Sequence, residues 1–273
     1  MIEMIIGMLK YDFAIRALIC GGLISLCAAM LGVVLVLKRY ALIGDGLSHV
    51  GFGALSIAMA LNLAPMAVAI PVVIVAAFLL LRLSESSRMG GDAAIAVAST
   101  SALTVGVIVA SLSKGMNVDV NTYMFGSLLA MTDADVMLSV CLCALVLALF
   151  FCTYRRIFAV TFDESFSRAI GVNAELYNTV IALLTAVTVV VGMRMMSTLL
   201  ISSLIIFPAL TAMQLCRRFA SVMLVAALSA LLCVGAGLVF SFALSIPAGA
   251  SVVAANMVMF ALFGLIRMVR AHR

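Results

Sequence analysis

Charged and catalytically useful side chains are scarce in this sequence. Of its 273 residues, 10% are charged, two are histidine and none is tryptophan. The nucleotide-binding pattern G-x-x-x-x-G-K-[ST] and the metalloprotease pattern H-E-x-x-H are both absent. The seven cysteines form no C-x-x-C pair, which argues against disulfide and metal roles for them. These absences exclude ATP hydrolysis by a Walker-type loop and zinc-peptidase chemistry in this chain.

Apolar residues, by contrast, make up 66% of the chain, and its mean hydropathy is +1.34. A helix needs about 20 predominantly apolar residues to cross a hydrocarbon core of about 30 Å. The sequence therefore predicts an all-α, polytopic membrane helical bundle of eight to nine transmembrane segments, forming a single domain over residues 1–273. The nine candidate segments are 13–37, 46–62, 65–81, 93–113, 136–154, 175–192, 197–214, 220–244 and 248–266.

Two parts of the chain differ from this pattern. Segment 197–214 is short, rich in serine and threonine, and interrupted by Pro208. It is a candidate for a broken or re-entrant helix, whose freed backbone groups need protein or a water-filled cavity to satisfy them. Residues 1–12 are a candidate for a short interfacial amphipathic helix.

Basic residues are distributed unevenly between the two sides of the predicted bundle. With the N-terminus outside, 12 of the 16 lysines and arginines fall on one side, as the positive-inside rule requires of the cytoplasmic face. The net charge of +5 then reflects membrane orientation rather than nucleic-acid binding. The 12 residues are Lys38, Arg39, Arg82, Arg88, Arg155, Arg156, Arg168, Arg217, Arg218, Arg267, Arg270 and Arg273.

An aspartate and a histidine stand four residues apart in the stretch ALIGDGLSHV. On a helix, Asp45 and His49 share a face. His49 lies about 15 Å along the helix from Arg39, near the membrane centre, where ionisable groups face a protein interior or a water pathway. Carboxylate and imidazole are both ligands of zinc, manganese and iron. The pair predicts a transition-metal site, which a second copy in a two-fold dimer would complete.

A structural explanation of the same stretch stays open at this point. Asp45 is also a suitable residue to cap a helix start, and His49 to bond to a neighbouring helix. The flanking Gly44 and Gly46 favour a turn or close helix packing.

Three stretches resemble motifs of the ABC-3 family, the permease subunits of bacterial zinc, manganese and iron ABC importers. They are LVLKRYALIGDGLSHVGFGALSIA, MNVDVNTYMFGSLLAMTDADV and STLLISSLIIFPALTAMQLCRRF. They occur in the order expected of the family, and the resemblance runs from about residue 10 to 268. It implies a multi-pass protein of the bacterial inner membrane that is a transport subunit and not an enzyme.

The resemblance also implies partners and a cargo. Family members form homodimers, pair with a cytoplasmic dimer of a separate ATPase that binds the ATP, and receive metal from a periplasmic or lipid-anchored binding protein. The family's D-x-x-x-H metal ligands match Asp45 and His49, with no permanently bound cofactor. The V-D-x-x-x-Y-x-F-G loop favours transported Zn²⁺ over Mn²⁺ or Fe²⁺, and an ion-coupled secondary metal carrier is the alternative class.

The segment 155–174 resembles the family's cytoplasmic coupling loop, which seats a short helix in a groove of the ATPase. Ser167 stands where the family commonly has alanine. The residues that occupy the motif are Asp163, Glu164, Phe166, Arg168 and Gly171.

The same segment carries an apolar stripe that can be recognised without the resemblance. Phe162, Phe166 and Ile170 recur every four residues, and Asp163 supplies helix-start chemistry. A stripe in a cytoplasmic segment needs a partner, either another subunit or the membrane ends of this protein itself.

Three residues of the external segment 114–135 are candidates for the entrance or for contact with the binding protein: Asp119, Asn121 and Tyr123. Asp119 and Asn121 are equally suited to capping turns.

Overall fold

The computed structural model describes residues 11–86, 91–113 and 133–271. Ten helices and no strand occur within these ranges. The helices are α1 (Asp12–Leu37), α2 (Ala41–Ala60), α3 (Pro65–Ser86), α4 (Gly91–Leu112), α5 (Asp133–Phe162), α6 (Glu164–Ala169), α7 (Ala174–Met195), α8 (Thr198–Leu215), α9 (Phe219–Leu244) and α10 (Ala248–Ala271). Of the predicted interfacial segment 1–12, residues 1–10 lie outside the described part.

Nine of the described helices, all except α6, are long and apolar enough to cross a membrane. The predicted all-α polytopic bundle is therefore confirmed, and the chain is a multi-pass membrane protein. Helices α1 and α7 are the most buried spans and α2 follows closely, whereas α10 is almost entirely on the outside. The helix that carries the Asp45 and His49 pair therefore belongs to the centre of the bundle.

Contacts at the helix ends fit the alternating orientation expected from the charge distribution. Arg16 near the start of α1 forms an ion pair with Asp133 at the start of α5, at 2.7 Å. At the opposite end, the side chain of Arg156 donates a hydrogen bond to the Tyr177 hydroxyl at 2.6 Å. Helix ends that the positive-inside rule places on the same side of the membrane are therefore in contact with each other.

Several predicted boundaries, and one predicted break, differ from the structure. Helix α2 begins at Ala41, five residues before the predicted start, because Gly44 and Gly46 lie inside the helix and not in a turn. Helix α5 continues to Phe162 and not to 154, so the first part of the predicted loop 155–174 is helical. Helix α8 is continuous through Pro208 and is about 27 Å long, so this segment is neither broken nor re-entrant.

Glycines let α2 approach its neighbours closely. A Cβ atom on Gly53 would lie 2.8 Å from the carbonyl oxygen of Ala102 in α4, and one on Gly46 would lie 2.9 Å from the side chain of Ile95. On another side, a Cβ on Gly44 would lie 2.6 Å from the Ile205 side chain of α8. The small residues therefore fix α2 between α4 and α8, as expected of tightly packed membrane helices.

Helix α1 turns sharply into α2 across three residues. The Tyr40 amide donates to the Leu35 carbonyl at 2.8 Å, and the Arg39 amide donates to the Val36 carbonyl at 3.1 Å. Arg39 adopts a left-handed conformation, with φ of 62°. This is the Schellman arrangement that ends many helices, here with arginine where glycine is usual. Lys38 therefore lies at a fixed corner directly before α2.

Candidate functional site

Asp45 and His49 lie on one face of α2. His49 Nε2 is 3.4 Å from Asp45 Oδ2, and the two side chains are 28% and 43% exposed, respectively. His49 is about 12 Å from the helix start at Ala41, in a helix of 20 residues. The predicted shared face of the pair is therefore confirmed, and its depth in the membrane stays a prediction.

Asp45 is held from a second helix. The Ser202 hydroxyl of α8 lies 2.9 Å from Asp45 Oδ1, within donating distance, while the opposite carboxylate oxygen faces His49. Ser202 was not among the residues predicted from the sequence. The available signal was the serine and threonine content of segment 197–214, which indicated a polar surface without identifying its partner.

The capping explanation for Asp45 is wrong. The residue preceding α2 is Tyr40, whose side chain makes no capping bond, and Asp45 lies in the second turn of the helix. Its carboxylate contacts Ser202 and His49 and not a helix-start amide. The packing explanation for Gly44 and Gly46 is correct, so the motif combines close helix packing with a paired carboxylate and imidazole.

The pair by itself is an incomplete metal site. Within the described residues, no group of three or more histidine, cysteine, aspartate or glutamate side chains is placed to hold a metal ion. A carboxylate oxygen and an imidazole nitrogen can bind a divalent transition metal loosely. Further ligands for such a metal would have to come from outside the described residues, from water or from another molecule.

The predicted coupling segment contains a short, well-terminated helix. Asp163 Oδ1 accepts a hydrogen bond from the Phe166 amide at 2.8 Å, which caps the start of α6. Gly171 follows its end with φ of 84°, a conformation that suits glycine. The Ser167 hydroxyl donates to the Asp163 carbonyl at 2.8 Å, so serine fits where the family commonly has alanine.

The apolar stripe of this segment is exposed. Phe162, Phe166 and Ile170 retain 58%, 59% and 56% of their exposure in the single chain. The Phe162 ring nevertheless contacts the ring of Phe219 at the start of α9, with centroids 5.8 Å apart. The alternative in which the stripe packs against the membrane ends of this protein therefore holds in part for Phe162 and is wrong for the exposed Phe166 and Ile170. An exposed apolar stripe beside a membrane-spanning bundle fits contact with another subunit.

Glu164 and Arg168, two of the three charged members of the coupling motif, form an ion pair at 2.7 Å. Glu164 also lies 3.4 Å from Lys38 Nζ and accepts a hydrogen bond from Asn178 at 3.3 Å. Partial burial alone would raise the pKa of Glu164. The hydrogen bonds from Arg168 and Asn178, together with the charge of Lys38, outweigh burial and lower that pKa below its usual value. The carboxylate is therefore ionised at neutral pH.

The candidate entrance residues Asp119, Asn121 and Tyr123 lie outside the described part of the chain, and their role stays a prediction.

Fold and site together define a polytopic membrane protein that carries an aspartate and histidine pair on a central apolar helix and a short, capped helix between two of its long helices. The chain belongs to the ABC 3 transport family, whose profile matches residues 10–267. The identification made from the sequence motifs is thereby confirmed. So is the expectation of a transport subunit in the bacterial inner membrane that is not itself an enzyme.

Individual relatives cover nearly the whole chain. The high-affinity zinc uptake system membrane protein ZnuB of Haemophilus influenzae is 27% identical, over 92% of this chain and 97% of its own. The manganese import system permease protein ScaB of Streptococcus gordonii is also 27% identical, over 94% of this chain and 92% of its own. The solved structure of PsaBC from Streptococcus pneumoniae in complex with Fab matches with a TM-score of 0.86 and 26% identity, over 96% of this chain and 95% of that one.

Replacing Ser202 by alanine is expected to weaken transport without preventing folding. The change removes the hydroxyl that orients Asp45, and losing such a supporting contact typically lowers metal affinity or activity by about ten-fold or more. The measurement is the concentration of metal that gives half-maximal uptake. Ser203→Ala is the matched control, because the Ser203 hydroxyl donates to the Leu200 carbonyl of its own helix. If both variants needed the same metal concentration for half-maximal uptake, the assignment of Ser202 as the support of Asp45 would be contradicted.

Proposed function

We propose that this chain is the membrane permease subunit of an ATP-driven importer of divalent transition metals, with zinc as its cargo. The observation that carries the proposal is the pair formed by Asp45 and His49, a carboxylate and an imidazole 3.4 Å apart in the first half of a helix long enough to span a membrane. Relatives named for zinc and for manganese align with almost the whole chain, which supports a metal cargo. The preference for zinc rests on the zinc-type loop motif at residues 118–126.

A second copy of the chain would complete the metal site. Zinc usually takes four ligands in proteins, and one chain offers two. Because Asp45 and His49 are both partly exposed in the single chain, both can face a two-fold axis. Two copies would then supply two carboxylates and two imidazoles. A site divided between subunits can also be opened by moving the subunits apart, which suits a cargo that has to be released.

The transport cycle follows from the positions of these parts. A periplasmic or lipid-anchored binding protein delivers the metal to the outer side, and Asp45 and His49 hold it in the membrane. Ser202 keeps the Asp45 carboxylate turned toward His49. A cytoplasmic ATPase dimer, which binds the ATP, docks on the stripe that includes Phe166. Movement received through α6 then opens the inner side of the pathway.

Uptake measurements in cells that lack this permease test the proposal. Cells complemented with the wild-type chain are expected to accumulate radioactive zinc, and to accumulate manganese more slowly at equal concentration. Inactivating the nucleotide site of the ATPase partner is expected to abolish both. Uptake that persists without a working ATPase would indicate an ion-coupled secondary carrier instead. Faster uptake of manganese would overturn the preference for zinc.

A further inference from the structure

Glu164 of the coupling helix α6 lies at the meeting point of three other side chains. Lys38 Nζ is 3.4 Å from Glu164 Oε2, and Asn178 Nδ2 donates to the same oxygen at 3.3 Å. Lys38 also donates to the Asn178 side-chain oxygen. The remaining oxygen, Glu164 Oε1, pairs with Arg168 at 2.7 Å. Lys38, Glu164 and Asn178 are hereafter the polar joint, and they connect the corner after α1 with α6 and with α7.

The two cationic partners of Glu164 differ in their surroundings. The Arg168 side chain is 65% exposed and belongs to α6 itself, so this ion pair stabilises only the short helix. The Lys38 side chain is 7% exposed, and it comes from a residue 126 positions away in the sequence. Separating a largely buried ammonium from a carboxylate partner is costly, which favours movement of Lys38 together with Glu164.

Lys38 is also placed close to the metal pair along the chain. It lies in the corner between α1 and α2, whose geometry is fixed by the backbone hydrogen bonds of Arg39 and Tyr40. Asp45 follows in the second turn of α2. A displacement of Lys38 is therefore transmitted to α2 through a short and rigid stretch of backbone.

A small cavity lies beside the joint. It is lined by Lys38 and Asn178 of the joint, by Tyr40 and Ile43 at the start of α2, and by apolar residues of α1, α3 and α7. The root of α2 is therefore packed less tightly than the close-packed interior that proteins usually have.

We propose that the polar joint of Lys38, Glu164 and Asn178 transmits the movement of the coupling helix α6 to α2, and that Lys38 is the positioning residue that couples ATP hydrolysis to metal release. This proposal rests on the proposed function. Asn178, which is buried in α7, holds the other two side chains together and gives the joint a stationary support.

The test compares variants of the full permease, assembled with its ATPase in proteoliposomes and supplied with zinc. Lys38→Met removes the charge and keeps the length of the side chain. Metal transported per ATP hydrolysed is expected to fall by about ten-fold, the usual size of a coupling between two sites, while ATP hydrolysis continues.

Lys38→Arg keeps the positive charge and is expected to retain the coupling of transport to hydrolysis. The double change of Lys38→Glu with Glu164→Lys is expected to recover part of it. Arg39→Met, an exposed cation next in the sequence, is the matched control.

Three results would be decisive against the proposal. An unchanged ratio of transport to hydrolysis in Lys38→Met would show that the joint does not couple the two. A parallel loss of transport, hydrolysis and assembled complex, without recovery in the charge-exchanged double variant, would show that Lys38 is needed only for folding. Failure of the wild-type complex to transport zinc or manganese would instead overturn the proposed function, and this inference with it.

Discussion

Alanine at Asp45 or at His49 is expected to reduce metal uptake to the background of cells lacking the permease. In a two-fold dimer each substitution removes two ligands at once, one from each copy. Loss of a supporting contact around a metal already costs about ten- to a hundred-fold, so loss of direct ligands is expected to cost at least about a hundred-fold. Asp45→Ala also leaves Ser202 and His49 without their shared partner.

Uptake of radioactive zinc and manganese at matched membrane levels of the variants measures this effect. Ser48→Ala is the control on the same helix turn, because the Ser48 hydroxyl donates to the Asp45 backbone carbonyl, at 2.7 Å, and not to its side chain. Co-purification with the ATPase shows whether each variant still assembles. Near-normal uptake by assembled Asp45→Ala and His49→Ala would reject both residues as metal ligands and leave the motif with a packing role.

The second large effect is expected for Gly32→Ala, at a residue of α1 that is not itself a proposed ligand. A Cβ atom at Gly32 would collide with the backbone carbonyl of Ile205, and backbone cannot move aside as a flexible side chain does. Overpacking of this kind costs about 3 kcal/mol at the upper end of its usual range. Because Ile205 and Ser202 belong to the same helix, displacement of α8 also carries the Ser202 hydroxyl away from Asp45.

Thermal unfolding of the purified permease in detergent compares Gly32→Ala with Gly235→Ala. A Cβ at Gly235 would meet nothing within 4 Å, so this control is expected to keep or slightly raise the melting temperature. Gly32→Ala is expected to lower it by several degrees and to reduce uptake. Similar melting temperatures for the two variants would mean that α1 and α8 can separate without cost.

The sequence predicted those features that depend on local spacing. Within the described residues, the nine helices long enough to cross a membrane followed from runs of apolar residues, and the shared face of Asp45 and His49 followed from helical periodicity. The cap at Asp163 and the left-handed turn at Gly171 followed from residue type. The start of α2 was predicted too late because glycines usually mark a turn. Here the glycines lie within α2, and close packing compensates for their flexibility.

Contacts between distant residues were beyond the reach of sequence reasoning. Ser202 is 157 residues from Asp45, and Glu164 is 126 residues from Lys38. Several serines of segment 197–214 are equally suitable by composition, and only the packing of α8 against α2 selects Ser202. From the sequence, Lys38 was one of 12 cations predicted on the cytoplasmic side. In the fold, its largely buried side chain pairs with Glu164, whereas the neighbouring Arg39 is exposed.

X-ray absorption spectroscopy of zinc bound to the purified permease tests the central claim most directly, since it reports the atoms around the metal. We expect one zinc per two chains, coordinated by oxygen and nitrogen without sulfur, and no bound zinc in the Asp45→Ala and His49→Ala variants. Sulfur in the first coordination shell, or zinc bound equally well by both variants, would contradict an intramembrane site built from Asp45 and His49.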